Sequence, residues 1–291
     1  MFTATLIGDA LGGGDLSAAV DRLAAAGCAP QAWHWLDEGI AADLTFNDAP
    51  AAAREALEGA FDRSDVVVQP TATRRKRLIV ADMDSTMITV ECIDELADYA
   101  GIKAEVAAVT EAAMRGELDF EGALDARVAL LKGLDEQVIA RCLAERVHIM
   151  PGAKALIGTM RANGADAVLV SGGFTRFAEP VAEAIGFSRA IANVLLIEAG
   201  RLTGLVAKPI VGAATKEETL LAAIAAAGID PALSLAVGDG ANDLAMIRRA
   251  GLGVAYHAKP IVAAAAAARI DHGDLSALLY AQGYPRADWV E

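Results

Sequence analysis

Three short apolar runs set the terms of the fold. Leu78-Ile79-Val80-Ala81, Ala167-Val168-Leu169-Val170 and Leu233-Ser234-Leu235-Ala236-Val237 stand far apart in the chain, and each stops at a segment carrying aspartate, glycine or both. Strands that are apolar without alternation are buried on both faces, the habit of parallel sheets covered by helices. Helical spacing over Phe177–Ile185 and Lys216–Ala227 falls between the second and third runs. Strands alternating with helices predict a doubly wound α/β domain with a parallel sheet. In such sheets ligands bind beyond the carboxyl ends of the strands. The three polar segments are therefore expected to converge on one crevice.

The rest of the chain falls around this core. Glu91–Ala100, Ala104–Met114, Phe120–Leu130 and Asp135–Glu145 each have helical periodicity, so the stretch between the first two runs predicts a helical cap over about residues 88–150. Ile191–Val211, with Gly200 and Gly204, reads as a β-hairpin or flap, and the alanine-rich run Ile261–Ala268 as a helix. Ahead of the core, Phe2–Ile7, Gln31–Leu36, Ile40–Phe46 and Val66–Val68 read as strands and Leu16–Ala26 and Ala51–Phe61 as helices. That βαββαβ order predicts a small α+β unit, an antiparallel sheet with helices on one face. The expected division is residues 1–72 and 73–291, joined by a linker over Pro70–Lys76 whose basic run, Arg74-Arg75-Lys76-Arg77, reads as solvated.

Composition removes several function classes. With 25 basic and 39 acidic residues the net charge is −14, which repels nucleic acid. No apolar stretch reaches the length of a membrane span, and Met1-Phe2-Thr3 lacks the basic start of a secretory signal. Cys28, Cys92 and Cys142 are sparse, odd in number and not at metal spacing, which fits reduced thiols and a cytoplasmic location.

The chemistry lies in the polar segments. Asp82-Met83-Asp84-Ser85-Thr86 puts two carboxylates at a strand end. Ser171-Gly172-Gly173-Phe174 offers a hydroxyl and backbone N–H groups that can approach an anion closely. Gly238-Asp239-Gly240-Ala241-Asn242-Asp243 packs hard oxygen donors into a glycine turn, a set that suits Mg²⁺. Lys216, upstream of that turn, is a candidate to neutralise anionic charge.

This ordered set resembles the haloacid dehalogenase superfamily, all four of whose motifs are present. Within it the chain is similar to the phosphoserine phosphatase family over roughly residues 78–285. Glu91 stands nine positions after Asp82, and Met114-Arg115-Gly116-Glu117-Leu118-Asp119-Phe120, followed by Arg127-Val128, looks like that family's cap segment. The N-terminal unit resembles an ACT domain in layout, but Gly12-Gly13-Gly14-Asp15 replaces the expected Asp-Arg-Pro-Gly turn. The replacement argues against ligand binding there and for a homodimer contact through this unit.

The resemblance implies roles. Asp82 would be the nucleophile forming an aspartyl-phosphate, and Asp84 the general acid and base. Mg²⁺ would be held by Asp82, the Asp84 carbonyl and Asp239, with Asp243 orienting metal-bound water. Ser171, Gly172 and Lys216 would hold the phosphate, with Asn242 supporting that corner. Glu91 would pair with a substrate ammonium, Arg127 would grip a carboxylate, and Met114 and Phe120 would close the apolar side. The implied activity is hydrolysis of O-phospho-L-serine to L-serine and phosphate, the last step of L-serine biosynthesis. The alternatives are a phosphatase or phosphotransferase for another small phosphomonoester, and an amino-acid sensor with a vestigial phosphatase domain.

Overall fold

The computed structural model describes residues 1–115 and 117–290, leaving out the Met114 side chain. The chain opens with β1 (Phe2–Gly8), α1 (Gly13–Ala25), β2 (Pro30–Asp37), β3 (Ala41–Phe46), α2 (Pro50–Leu57) and β4 (Ser64–Pro70). The strands form an antiparallel sheet in the order β2-β3-β1-β4. One face carries Ala4, Leu6, Leu44, Phe46 and Val66 against Leu16, Ala19 and Leu23 of α1 and Ala53 and Leu57 of α2. The other face sends Ile7, Ala41 and Val67 into the main core of the molecule. The triple glycine starts α1, where the Gly12 N–H donates to Asp15 Oδ2 at 2.8 Å.

The basic run after β4 is only half solvated: Arg75 and Arg77 are exposed, but Arg74 and Lys76 turn inward. Arg74 donates to both Asp43 oxygens, at 2.6 and 3.0 Å, and to the Tyr280 carbonyl. Lys76 is 3% exposed. Its Nζ donates to the Thr73 and Ala232 carbonyls, both at 2.9 Å, and burial pulls its pKa down to about 8. These partners lie up to 206 residues away along the chain, so nothing local in sequence announces them.

Next comes β5 (Leu78–Ala81), then four helices, α3 (Cys92–Ala100), α4 (Lys103–Met114), α5 (Phe120–Leu130) and α6 (Gln137–Arg146). The outgoing and returning links of this helical insertion pair with each other through Ile88 and Ile149, and Met150 N donates to the Met87 carbonyl at 2.9 Å. The chain continues through α7 (Ala153–Ala162), β6 (Asp166–Phe174), α8 (Thr175–Ile185), β7 (Arg189–Asn193) and a hairpin of β8 (Leu195–Glu198) and β9 (Arg201–Val206). It ends with α9 (Ala213–Ala227), β10 (Ser234–Gly238), α10 (Leu244–Arg249), β11 (Leu252–Tyr256), α11 (Pro260–Ala265), β12 (Ala268–Ile270) and α12 (Ala277–Ala281).

Six parallel strands make the main sheet, ordered β12-β11-β10-β5-β6-β7. The β5 run is buried on both sides, as its composition demands. Leu78 and Val80 pack with Leu220 and Ile224 of α9, while Ile79 and Ala81 belong to the cluster containing Leu156 of α7 and Phe177 of α8. The fold is thus the doubly wound α/β core with a helical insertion and an N-terminal antiparallel sheet.

Two strands escape the sequence reading, each for a physical reason. Gly253 interrupts the β11 pattern because a Cβ there would meet the Ile247 carbonyl oxygen at 1.9 Å. The run Ile261–Ala268 is helical only as far as Ala265; the chain then extends so that Ala268 and Ile270 pair with β11 and become buried. Tertiary pairing overrides alanine's helix propensity there. Among the described residues, no helix is long and apolar enough to cross a membrane.

Candidate active site

The sheet order reverses direction beside β5, and the crevice forms at that switch point. Register does the aligning. Ala81 lies opposite Val237 on one side and Leu169 on the other, and the Asp82 N–H donates to the Val237 carbonyl at 3.0 Å. Asp82, Ser171 and Asp239 therefore leave three adjacent strands at nearly the same height.

Lys216, in the first turn of α9 and wholly buried, is held between two carboxylates. Its Nζ lies 2.6 Å from Asp82 Oδ1 and 2.7 Å from Asp243 Oδ1. The other Asp243 oxygen accepts from Gly240 N at 3.0 Å. Position 238 must be glycine, because a Cβ there would stand 2.4 Å from the Asp243 carboxyl carbon. Burial and then the Asp243 charge raise the Asp82 carboxyl above its usual range, with Lys216 opposing. Burial works against the Lys216 ammonium, but Asp82 and Asp243 overcome it and keep the charge on.

One cation among three acids leaves the corner short of positive charge. Single oxygens of Asp82, Asp239 and Asp243 lie within 4.8 Å of one another. Burial, followed by Asp243 and Glu91, lifts Asp239 to about 6. Clustered hard oxygens in an acidic, partly buried corner fit a divalent cation of the Mg²⁺ kind.

Asp84 has one buried oxygen, Oδ1, with no hydrogen-bond partner. Burial, and next the Glu91 charge, lift its carboxyl to about 7, while Cys92 partly offsets this. Gly173 permits the close approach, since a Cβ there would meet Asp84 Oδ2 at 2.9 Å and Ser171 Oγ at 3.0 Å. Between Asp84 and the cap the backbone bends sharply. Ser85 takes a left-handed φ of 56° and donates its hydroxyl to Glu91 Oε1 at 2.8 Å. Thr86 donates to Asp239 Oδ1 at 3.4 Å.

The cap and core enclose a cavity of about 630 Å³. Glu91 and Arg127 face it from the cap side, and Ser171, Gly172 and Asn242 from the core. Phe120 reaches down to the core, where its ring would stand 3.1 Å from a Cβ on Gly172 and 3.2 Å from one on Gly212. Arg127 is half-buried at the wall, donating Nε to the Ala123 carbonyl at 3.3 Å. Burial lowers its guanidinium pKa, with Asp94, Glu91 and Asp84 opposing. The structure thus brings together every candidate residue except Met114, whose side chain lies outside the described residues. Asp243 and Lys216 stand behind the cavity wall, within reach of Asp82.

Three residues here escaped the sequence reading. Asp94 follows Glu91 by nearly one helical turn and lines the cavity. Lys259 lines it from beyond β11, the strand hidden by Gly253. Asn193, 2% exposed at the end of β7, donates to the Gly172 carbonyl at 2.9 Å and accepts from Val211 N at 2.7 Å. It ties the glycine loop to the segment before α9; no local signal marks it. A larger cleft of about 950 Å³ lies at the seam with the N-terminal unit, lined by Asp37, Tyr280 and Trp289, and holds none of the motif residues.

The sequence matches the haloacid dehalogenase-like hydrolase family over residues 79–248. It is 49% identical over 208 residues to a phosphoserine phosphatase of Albidiferax ferrireducens, covering 70% of this chain and 88% of that one. It is 48% identical over 223 residues to a phosphoserine phosphatase of Streptomyces coelicolor, covering 77% of this chain but spanning only about half, 54%, of the relative's length. Among solved structures, a probable phosphoserine phosphatase from Vibrio cholerae in unliganded form superposes with a TM-score of 0.79 at 33% identity, over 98% of this chain and 88% of that one.

Proposed function

The chain belongs to the phosphoserine phosphatases of the haloacid dehalogenase-like hydrolases, and from that premise we propose that it hydrolyses O-phospho-L-serine in a Mg²⁺-dependent reaction through a phospho-aspartate on Asp82. The observation that carries the proposal is the Lys216 ammonium fixed between Asp82 and Asp243 at the foot of the cavity. It holds one Asp82 oxygen in place and leaves the other for attack on phosphorus. It also reduces the repulsion that an anionic nucleophile meets from an anionic phosphate.

Asp84 protonates the departing serine oxygen and then takes a proton from the hydrolytic water. Its elevated pKa, about 7, supports this role, because an acid that must give and regain a proton works best near the ambient pH. Ser171 and the Gly172 N–H hold phosphate oxygens, and Asn193 keeps that loop in position. Asp82, the Asp84 carbonyl and Asp239 would hold Mg²⁺, with Asp243 steadying the group. When bound, the ion supplies positive charge at the phosphoryl oxygens. On the cap side Glu91 meets the substrate ammonium, Arg127 its carboxylate, and Phe120 shuts water out. The buried, unpaired cysteines support a reducing compartment such as the cytoplasm.

The test is phosphate release from O-phospho-L-serine against a panel of phosphomonoesters, with Mg²⁺ and with EDTA. We expect phosphoserine to be preferred and EDTA to abolish turnover. Asp82→Asn should lower kcat by about a thousandfold or more. Arg127→Ala should lower kcat/KM on phosphoserine roughly 10- to 100-fold while sparing an aryl phosphate. Equal losses on both esters would remove Arg127 from carboxylate recognition. Retained turnover in Asp82→Asn would remove the nucleophile.

A further inference from the structure

Five carboxylates line the cavity, those of Asp82, Asp84, Glu91, Asp94 and Asp239, in a protein of net charge −14. A phosphomonoester dianion entering this space meets mostly like charge. Lys216 does not relieve the problem at the mouth, being fully buried and paired to two carboxylates. Among the described residues, two cations line the cavity wall: Arg127 on the cap and Lys259 on the core.

Lys259 is placed with care by its backbone. Its N–H donates to the Asp239 carbonyl at 3.2 Å, and its own carbonyl accepts from Val262 N at 2.9 Å and Ala263 N at 3.1 Å. Its φ of −59° and ψ of 147° are the extended values that the following Pro260 favours. Within the described residues no carboxylate lies at ion-pair distance from its Nζ, and the side chain is exposed. Its charge is nonetheless felt by Asp239, whose carboxyl it holds lower than burial would leave it. A long cationic side chain on a fixed backbone, at the rim of an acidic cavity and without a protein partner, has the attributes of an anion receiver.

We propose that Lys259 is the core's phosphate-binding residue at the cavity mouth, receiving the phosphate group of the incoming ester and of the inorganic phosphate that leaves. The inference rests on the phosphatase reading and adds a division of labour. Arg127 reads the substrate's carboxylate from the cap, whereas Lys259 reads the phosphate from the core, whichever ester carries it.

The experiment compares wild type with Lys259→Met and Lys259→Arg, after thermal melts show that all three are folded alike. We expect Lys259→Met to lower kcat/KM about tenfold, chiefly through KM, equally for O-phospho-L-serine and an aryl phosphate. Inhibition by inorganic phosphate should weaken by a similar factor, and Lys259→Arg should restore most of both. The gap from wild type should close near 1 M salt, where the screening length falls to roughly 3 Å. A loss confined to phosphoserine, unchanged phosphate inhibition, or a gap that persists at high salt would each overturn the assignment. If wild type hydrolyses neither ester the phosphatase reading fails instead, and calorimetric titration of both proteins with inorganic phosphate still decides the role of Lys259.

Discussion

The N-terminal sheet and the helical cap both rest on the α/β core, but their polar contacts with it differ in kind. At the N-terminal seam the groups are buried and mostly paired, with Gln69 Oε1 and Arg74 Nε left without a partner. Asp43 binds Arg74, whose side chain is 13% exposed against 1% for the aspartate. Gln69 donates to the Ala281 carbonyl at 2.7 Å. Asp65 accepts from the consecutive N–H groups of Asp271, His272 and Gly273, the closest at 2.7 Å. At the cap the ion pairs lie in water, beside a short backbone ladder. In that ladder Gly133 and Glu136 donate to the Leu202 and Gly200 carbonyls, and the Leu202 N–H donates to the Leu134 carbonyl. Lys208 pairs with Asp125 at 2.7 Å and Arg176 with Glu136 at 3.6 Å, with both members of each pair at least 39% exposed. Apolar packing of α5 on β9 adds to that side, but the cap's charged contacts cost little to separate.

The difference has a functional reading. On the proposed function, substrate needs a way past Phe120. Ion pairs that already lie in water separate at little cost, whereas the backbone ladder to β9 stays paired only if that edge does not move. The N-terminal sheet has no such freedom. Removing one member of its buried pair strands the other in a medium of low polarizability.

Asp43→Ala is therefore the sharpest way to break the comparison. It should cost about 3–5 kcal/mol in urea unfolding, because Arg74 remains buried without its counter-charge. Adding Arg74→Met should recover part of that loss, since the stranded cation is then gone. A loss under about 1 kcal/mol would mean that the two seams are tied alike.

Phe120→Ala addresses the cap. The ring is 39% exposed, so we expect stability to change by less than about 1 kcal/mol. The ring reaches from the cap to the Gly172 loop, and its loss should lower kcat/KM on phosphoserine roughly tenfold, mostly through KM. A large stability loss with unchanged kinetics would make Phe120 a core residue and not a cover.

The same contrast explains what the sequence could disclose. The apolar runs and the segments after them were legible because burial on both faces and clustered oxygens are written in adjacent residues. Phe120, Glu91 and Arg127 were reached through resemblance, since a lone acid or arginine on a helix looks like any solvated charge. Arg74 and Lys76 were misread as solvent-facing for a related reason: Asp43 and the Ala232 carbonyl, which hold them, lie 31 and 156 residues away. Lys259 was hidden one step further back, because Gly253 disguised the strand that presents it. Asn193 left no trace, for a buried asparagine is defined only by the two loops it joins.

The smallest effect lies at the exposed pair itself. Lys208 and Asp125 are 52% and 50% exposed. Coulomb attraction at 2.7 Å looks strong, yet both charges keep most of their water, and two flexible side chains must be held still to meet. Asp125→Asn should therefore move the unfolding free energy by less than about 0.5 kcal/mol. It should leave turnover at saturating phosphoserine almost unchanged, and any shift should vanish as salt is raised. A cost comparable to that of Asp43→Ala would show that this contact clamps the cap, and substrate entry would then have to come from movement elsewhere than at this edge.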